Sequence, residues 1–335
     1  MSPTCFAVFK VLFLLDSMMD GLNVTYIMFG GHVELNKCRF LYFGIMFIVY
    51  VLIICSNSTI LFIIWKQKTL HEPMYIFIAA LLFNSLLFST NIYPKLLIDF
   101  LSDKQITTIA LCHVQSFVYY TLCGSEFLIL SAMAYDRYVS ICKPLQYRVI
   151  MRKSTVSILL VLAWLAPSCQ LVPSLFISYS MKVCNVTLNG IFCNNSISQL
   201  YCMTSKASYI IYGTFIALNT IFLPILFILF TYVKILLVTF KSCINVRRKA
   251  AQTCTPHLLV LMSFSCLCSY DIAIARTDNS LNETARFIMT LQVVLYHPLF
   301  NPVVYGIKLV PIQSKLITSC SFYPTLSLDF PRVSS

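Results

Sequence analysis

The chain has 335 residues, of which 59% are apolar or aromatic and only 11% are charged. A water-soluble domain covers its surface with about 25% charged residues, so this composition excludes a soluble fold and points to lipid as the solvent. Lysine and arginine outnumber aspartate and glutamate 24 to 12, but the basic residues fall in short gaps between apolar runs, as juxtamembrane residues do, and form no patch suited to nucleic acid.

The first apolar piece, Cys5–Leu15, is interrupted by Lys10 and is shorter than the roughly 20 residues a spanning helix needs. It reads equally as a signal-peptide core or as sequence ahead of a start at Met18 or Met19, which makes residues 1–18 separable from the rest of an extracellular segment, 1–38. Seven longer stretches then follow: Phe40–Trp65, Tyr75–Phe100, Ile109–Ile141, Ser154–Ile177, Tyr209–Phe240, His257–Ala275 and Arg286–Ile307. They predict an all-α membrane protein, a seven-helix bundle over 39–308 with a tail at 309–335. The third and fifth exceed the minimum length, and the sixth is the least hydrophobic.

Orientation follows from the loops. With the N-terminus outside, fourteen of the basic residues between Lys37 and Lys315 fall inside, from Lys66 and Lys68 through Arg137, Lys143 and Arg248 to Lys308 and Lys315, against eight outside. The positive-inside rule therefore places the C-terminus in the cytosol. Four sequons, at Asn23, Asn185, Asn194 and Asn282, fall on the outer side and are expected to carry glycans, whereas the one at Asn57 lies mid-span.

Several residues carry chemistry of their own. Asp136 and Arg137 adjoin at the cytosolic end of the third span, where full burial of a charge is expensive. As a pair they can neutralise each other in a closed bundle, and opening would free the guanidinium for a cytosolic partner. Pro302 removes a backbone hydrogen bond and permits a hinge in the seventh span, with Asn301 able to satisfy a freed group and Tyr305 one turn on. Glu126 is an acidic residue near the middle of a span, three helical turns before Arg137. Cys112, Cys184, Cys193 and Cys202 lie in outer loops, and four cysteines allow three connectivities. Cys266, Cys268 and His113 never reach a four-ligand metal spacing. His257 has no positioned nucleophile beside it, and no phosphate loop is present, so no enzyme is expected.

The fifteen residues Met133-Ala-Tyr-Asp136-Arg137-Tyr138-Val-Ser-Ile-Cys-Lys-Pro144-Leu-Gln-Tyr147 resemble the signature of odorant receptors within the rhodopsin-like G-protein-coupled receptors. Leu70-His-Glu-Pro-Met-Tyr75, Lys249-Ala250 with Pro256-His257-Leu258, and Pro298-Leu-Phe-Asn301-Pro302-Val-Val-Tyr305 resemble further family elements in the right order, and the whole looks most like the fish-type branch. Asn57, Trp164, Pro224 and Tyr232 stand where the superfamily keeps its helix landmarks.

The resemblance implies an odorant receptor of the plasma membrane, in olfactory neuron cilia, that binds a small molecule and activates a stimulatory heterotrimeric G protein to raise cAMP. The partners it implies are an odorant, a G protein and membrane lipid. It implies the bridges Cys112–Cys193 and Cys184–Cys202, and coupling and switching roles for Asp136, Arg137, Tyr138, Tyr232, Asn301, Pro302 and Tyr305. It implies a ligand cavity lined by Tyr119, Tyr120, Cys123, Gly124, Ile216, Ala217, Thr220, Cys268, Ser269 and Ile272, with Asp271 and Arg276, near the outer end of the sixth span, placed to read a charged odorant. Amine-binding relatives place an Asp where this chain has Tyr119, so a charged biogenic amine is not expected. It also implies an internal polar cluster of Glu126, Asn57 and Ser85. There the chain departs from the family, with Ser85, preceded by Asn84, in place of an Asp. Glu126 then reads either as the carboxylate of a sodium site, the one cofactor in question, or as a protonated, hydrogen-bonded side chain. Pro311 and the segment Ser319–Ser335 depart from the family tail. A member of the same family used outside the nose is the near alternative. A transporter or channel is a distant one, since no broken-helix repeat is visible.

Overall fold

A computed structural model describes residues 26–31, 35–202, 206–240, 244–276 and 283–308. The expected tail and the glycosylation positions Asn23 and Asn282 lie outside the described residues. Among the described residues, seven long helices form the bundle: α1 (Leu35–Lys66), α2 (Pro73–Leu101), α3 (Ile109–Cys142), α4 (Lys153–Tyr179), α5 in three consecutive pieces (Lys206–Ala217, a π-helical turn Leu218–Phe222, and Leu223–Phe240), α6 (Ile244–Arg276) and α7 (Glu283–Lys308). Each predicted span is covered by one of them. Among the described residues, six are long and apolar enough to cross a membrane. The seventh, α6, has its last residues, 272–276, outside the residues whose side chains are described. This chain is a mostly helical, multi-pass membrane protein.

Helix boundaries have local causes. Pro73 opens α2 in its first turn, where a missing N–H costs nothing. Thr108 caps α3, its hydroxyl accepting the Leu111 N–H at 3.2 Å. In α5 the π-helical turn ends two residues before Pro224, which offers no N–H to the carbonyl four residues back, and the widened turn absorbs the mismatch.

The helix that organises the bundle is α3. Buried residues make up 72% of its most apolar stretch, against 22–28% for α1, α4 and α5, whose outward faces are bare leucine, isoleucine and phenylalanine. It packs on α2, α4, α5 and α6, so polar groups along it are shielded from lipid and reach several helices at once.

The apolar pattern does not announce a three-stranded sheet that covers the Cys112 end. Strand β1 (Tyr26–Phe29) pairs antiparallel with β2 (Ile106–Thr108) and parallel with β3 (Thr187–Leu188). It encloses a small apolar cluster of Ile27, Phe29, Cys112, Leu188, Cys193, Ile197 and Leu200. Gly31 and Gly190 meet there so closely that a side-chain carbon on Gly31 would lie 2.7 Å from the Gly190 carbonyl carbon, so only glycine fits.

Candidate functional site

At the end of the bundle holding Asp136, the two ends of the signature segment are joined. The Arg137 guanidinium donates to Asp136 through Nη2 and, at 3.2 Å, through Nε, while the Tyr147 hydroxyl donates to the other carboxylate oxygen at 2.8 Å. Asp136 is wholly buried and Arg137 partly so. Tyr147 lies on a short helix after α3 (Tyr147–Ile150), and burial, then the charge of Asp136 and the hydrogen bond to it, push its phenol above the usual range; it remains a donor at any physiological pH. Beside this latch, the Tyr232 hydroxyl of α5 meets His257 Nδ1 of α6 at 2.6 Å, and His257 Nε2 meets the Leu130 carbonyl of α3 at 2.8 Å. A carbonyl only accepts, so Nε2 carries the proton and Nδ1 accepts from Tyr232. Neutral His257 thus ties α5, α6 and α3 together. Around the latch, Lys143, Leu145, Arg148, Val149, Arg152 and Lys153 are exposed, and Tyr138 is half-buried. Side chains of the basic run at 241–247 lie outside the described residues.

In the middle of the bundle the polar cluster closes around Glu126, which is fully buried. Asn84 Nδ2 donates to Glu126 Oε2 at 2.8 Å, Asn301 Nδ2 donates to Oε1 at 3.1 Å and to Ser85 Oγ at 2.9 Å, and His297 Nε2 lies 3.3 Å from Oε2. Trp164 Nε1 donates to Asn84 Oδ1 at 3.3 Å, carrying the network to α4. The groups facing the carboxylate are nitrogens. A sodium ion requires a shell of oxygens, and the two amide oxygens without a hydrogen-bond partner, Asn57 Oδ1 and Asn301 Oδ1, belong to side chains whose nitrogens are already committed. As arranged, the residues fit a carboxylate held by N–H donors and do not fit a sodium cage. Among the described residues, no group of three His, Cys, Asp or Glu side chains converges on a metal position.

The prolines of α7 explain two further contacts and correct one expectation. Pro302 leaves the Pro298 carbonyl without its helical partner, and Asn57 Nδ2, rather than Asn301, donates to it at 3.1 Å. Pro298 likewise frees the Val294 carbonyl, which the Tyr93 hydroxyl approaches at 3.5 Å. Tyr305 is buried, and its hydroxyl has no hydrogen-bond partner among the described residues.

At the opposite end, disulfides join Cys112 to Cys193 and Cys184 to Cys202. The first pins the loop after α4 to the top of α3 and brings Phe192 down onto Tyr119, with ring centres 5.3 Å apart. Tyr119 and Tyr120 meet edge to face at 4.9 Å. Below them Cys123 and Cys268 are buried neighbours that share a hydrogen bond across α3 and α6.

The remaining expected lining residues divide. Gly124 is a packing contact: a side-chain carbon there would lie 2.5 Å from Thr220 Cγ2 and 2.8 Å from Pro167 Cβ. Thr220 is buried, with its hydroxyl on Gln170 Oε1 at 3.0 Å. Ile216 and Ala217 are half-buried, and Ser269 is exposed, because it follows Cys268 by about 100° around the helix and so faces outward. Ser269 is therefore not in the cluster. The side chains of Ile272 and Arg276 lie outside the described residues. Asn194 is a correction too. It is buried, and its Nδ2, the glycan-acceptor nitrogen, donates to Asp271 at 2.6 Å while its Oδ1 accepts the Ser196 N–H. Asn185 is exposed and keeps its expectation.

Of the residues at the centre of these networks, His297 was not singled out from sequence, and Asn84 was noted only as the residue before Ser85. His297 has the signal of an ionisable residue inside an apolar span, hidden beside the more familiar Pro298. Asn84 is a polar residue without periodicity to mark it, and its role appears only when α2 is laid against α3 and α4.

The sequence profile of the olfactory receptor family matches residues 46–321. The chain is 31% identical to human olfactory receptor 2AT4 over 297 residues, covering 88% of this chain and 91% of that one. It is 31% identical to human olfactory receptor 10J4 over 289 residues, covering 85% and 92%. To human olfactory receptor 11A1 it is 30% identical over 318 residues, covering 92% and 97%. By the span of that match, and by a bundle that brings the signature segment and the α7 motif into connected networks, the chain belongs to the olfactory receptor family.

Proposed function

We propose that this chain is an odorant receptor of the plasma membrane, on olfactory neuron cilia, whose N-terminus lies outside and whose Asp136 end faces the cytosol. The excess of basic residues at that end supports the orientation, as do two disulfides at the other, since bridges persist on the oxidising side. The observation that carries the functional reading is the latch: Arg137 is held by a buried Asp136 that Tyr147 also grips.

The ligand is a small odorant lodged among Tyr119, Tyr120, Cys123 and Cys268, between α3 and α6. A ligand that prefers a wider separation of these helices shifts the population toward it, by no more than its difference in affinity for the two states. Separation of α6 from α3 breaks the His257 contact to Leu130 and, with it, the tie to Tyr232. Asn301 and Asn57 let α7 move at Pro302 while their hydrogen bonds hold the freed carbonyl and Glu126. Arg137, released from Asp136, then meets a stimulatory olfactory-class G protein, and cAMP rises. Glu126 serves as a hydrogen-bonded strut between α2, α3 and α7, and no step runs through sodium. The basic loops around Lys143–Lys153 contact anionic lipid as well as the G protein.

The test is a cAMP screen in cells supplied with the olfactory G protein, using wild type and Arg137→Ala at matched surface density. An odorant response that the substitution abolishes supports the reading. An equal response in both overturns the role of Arg137, and substrate movement in proteoliposomes without a G protein would overturn the receptor reading itself.

A further inference from the structure

We infer that Asp271 is a recognition point for a protonated amine, so that the ligands of this receptor include small cationic amines; the inference rests on the receptor reading above and names its ligand class. Asp271 lies on α6 and is buried. Among the described residues its two oxygens accept from neutral groups: Oδ2 from the Tyr120 hydroxyl of α3 at 3.0 Å, and Oδ1 from Asn194 Nδ2 of the loop above at 2.6 Å. Among the described residues no lysine, arginine or histidine forms an ion pair with it.

A buried carboxylate without a counter-charge is expensive, and neutral hydrogen bonds recover only part of the cost. Two donors leave acceptor capacity on both oxygens, because an ionised carboxylate offers about four lone-pair sites. A ligand ammonium supplies both the charge and the hydrogens that the described residues do not.

The surroundings suit that cation. Tyr120, which holds Asp271, packs edge to face on Tyr119, and Tyr119 packs on Phe192, so aromatic rings stand beside the carboxylate. Ring faces attract ammonium groups, more strongly where water is excluded. The buried Cys123 and Cys268 thiols beneath give the alkyl part an apolar floor. Tyr119 replaces the carboxylate that amine-binding relatives carry on α3, and sequence alone therefore argued against amines. In the folded chain an acid from α6 arrives beside the adjacent Tyr120 instead. A cation there touches groups of α3, α6 and the disulfide-pinned loop together.

The experiment is thermal stabilisation of the full-length receptor in lipid nanodiscs at neutral pH, which needs no G protein. The probes are straight-chain primary amines from butyl to decyl, each matched with the alcohol of the same length. Amines are expected to raise the melting temperature of wild type more than the alcohols do. Asp271→Asn should weaken the apparent amine affinity by about tenfold or more while leaving alcohol binding unchanged, and Asp271→Glu should keep the amine preference. Tyr120→Phe removes a neutral donor but keeps the acid, so it should retain the amine preference even if Asp271→Asn fails to fold. Equal stabilisation by both classes, an amine shift that survives Asp271→Asn, or one lost in a folded Tyr120→Phe overturns the assignment. Stabilisation by alcohols alone overturns it while leaving the receptor reading intact. Stabilisation by neither also overturns it, and the receptor reading is then judged by the separate cAMP screen with a wider odorant set.

Discussion

Gly124 offers a direct test of how α3 meets its neighbours. In an open cavity, a methyl group at this position would change ligand preference and little else. In the structure that methyl lies 2.5 Å from Thr220 Cγ2 and 2.8 Å from Pro167 Cβ. Ordinary carbon contacts begin near 3.4 Å, so the two overlaps are about 0.9 and 0.6 Å, against a helix on one side and a proline ring on the other. Neither can swing aside as a long side chain would, and α3 must shift. Overpacking of this kind costs about 1–3 kcal/mol, a factor of roughly 5 to 150 in the folding equilibrium. Gly124→Ala should therefore melt several degrees below wild type in detergent with no ligand present, read by a thiol-reactive dye that reports exposure of the buried cysteines. Thr220→Ser removes Cγ2 while keeping the hydroxyl that reaches Gln170, so in the double variant it should restore part of the loss, and only part because Pro167 remains. A ligand-free melting curve for Gly124→Ala that matches wild type, or a Thr220→Ser change that adds to the loss, would refute the close-packing argument.

Three further outcomes follow from other parts of the fold. Cys193→Ser removes a bridge closing 81 residues and should cost about 2–5 kcal/mol, trapping the receptor in the secretory pathway; unchanged surface staining would count against a structural role for the bridge. Asn185→Gln should abolish a glycosidase-sensitive shift on a gel and Asn194→Gln should not, since Asn185 is exposed while Asn194 is buried against Asp271; the reverse pattern would contradict the loop's placement. Tyr147→Phe removes a hydrogen bond to Asp136 in the closed latch. Hydrogen bonds within membrane bundles contribute about 0.6 kcal/mol on average and at most about 1.7, so ligand-free cAMP per surface receptor should rise about three- to twenty-fold, and a fall or no change would show that Tyr147 does not hold the resting state.

Much of this architecture was legible in the chain because its causes are local or compositional. Apolar length placed all seven helices, including the weak sixth, since burial of backbone groups in lipid leaves a helix as the economical form for such runs. The Asp136–Arg137 pair was readable because neighbours in sequence are neighbours in space. The cysteine pairing was not derivable by counting; it came with the family resemblance, and the structure forms both bridges. The places where reading failed are places where two distant segments meet. Pro302 announced a freed carbonyl, but the choice of Asn57 over Asn301 to satisfy it depends on α1 lying against α7. Gly124 looked like cavity lining because helical spacing gives a face and not what stands opposite it.

Asn194 shows the same limit from the other side. A sequon is three adjacent residues, whereas its availability depends on a carboxylate 77 positions away. By itself the sequence determined membrane residence, the number and order of helices, and the charged pair at the base of α3, because hydrophobicity and adjacency are properties of the chain. Only the tertiary structure decided that Glu126 is ringed by nitrogens, that His257 ties three helices, and that Asp271 stands among aromatic rings without a basic partner among the described residues. Those depend on side chains from different helices converging within hydrogen-bond reach, and the packing of α3 at the centre of the bundle brings them there.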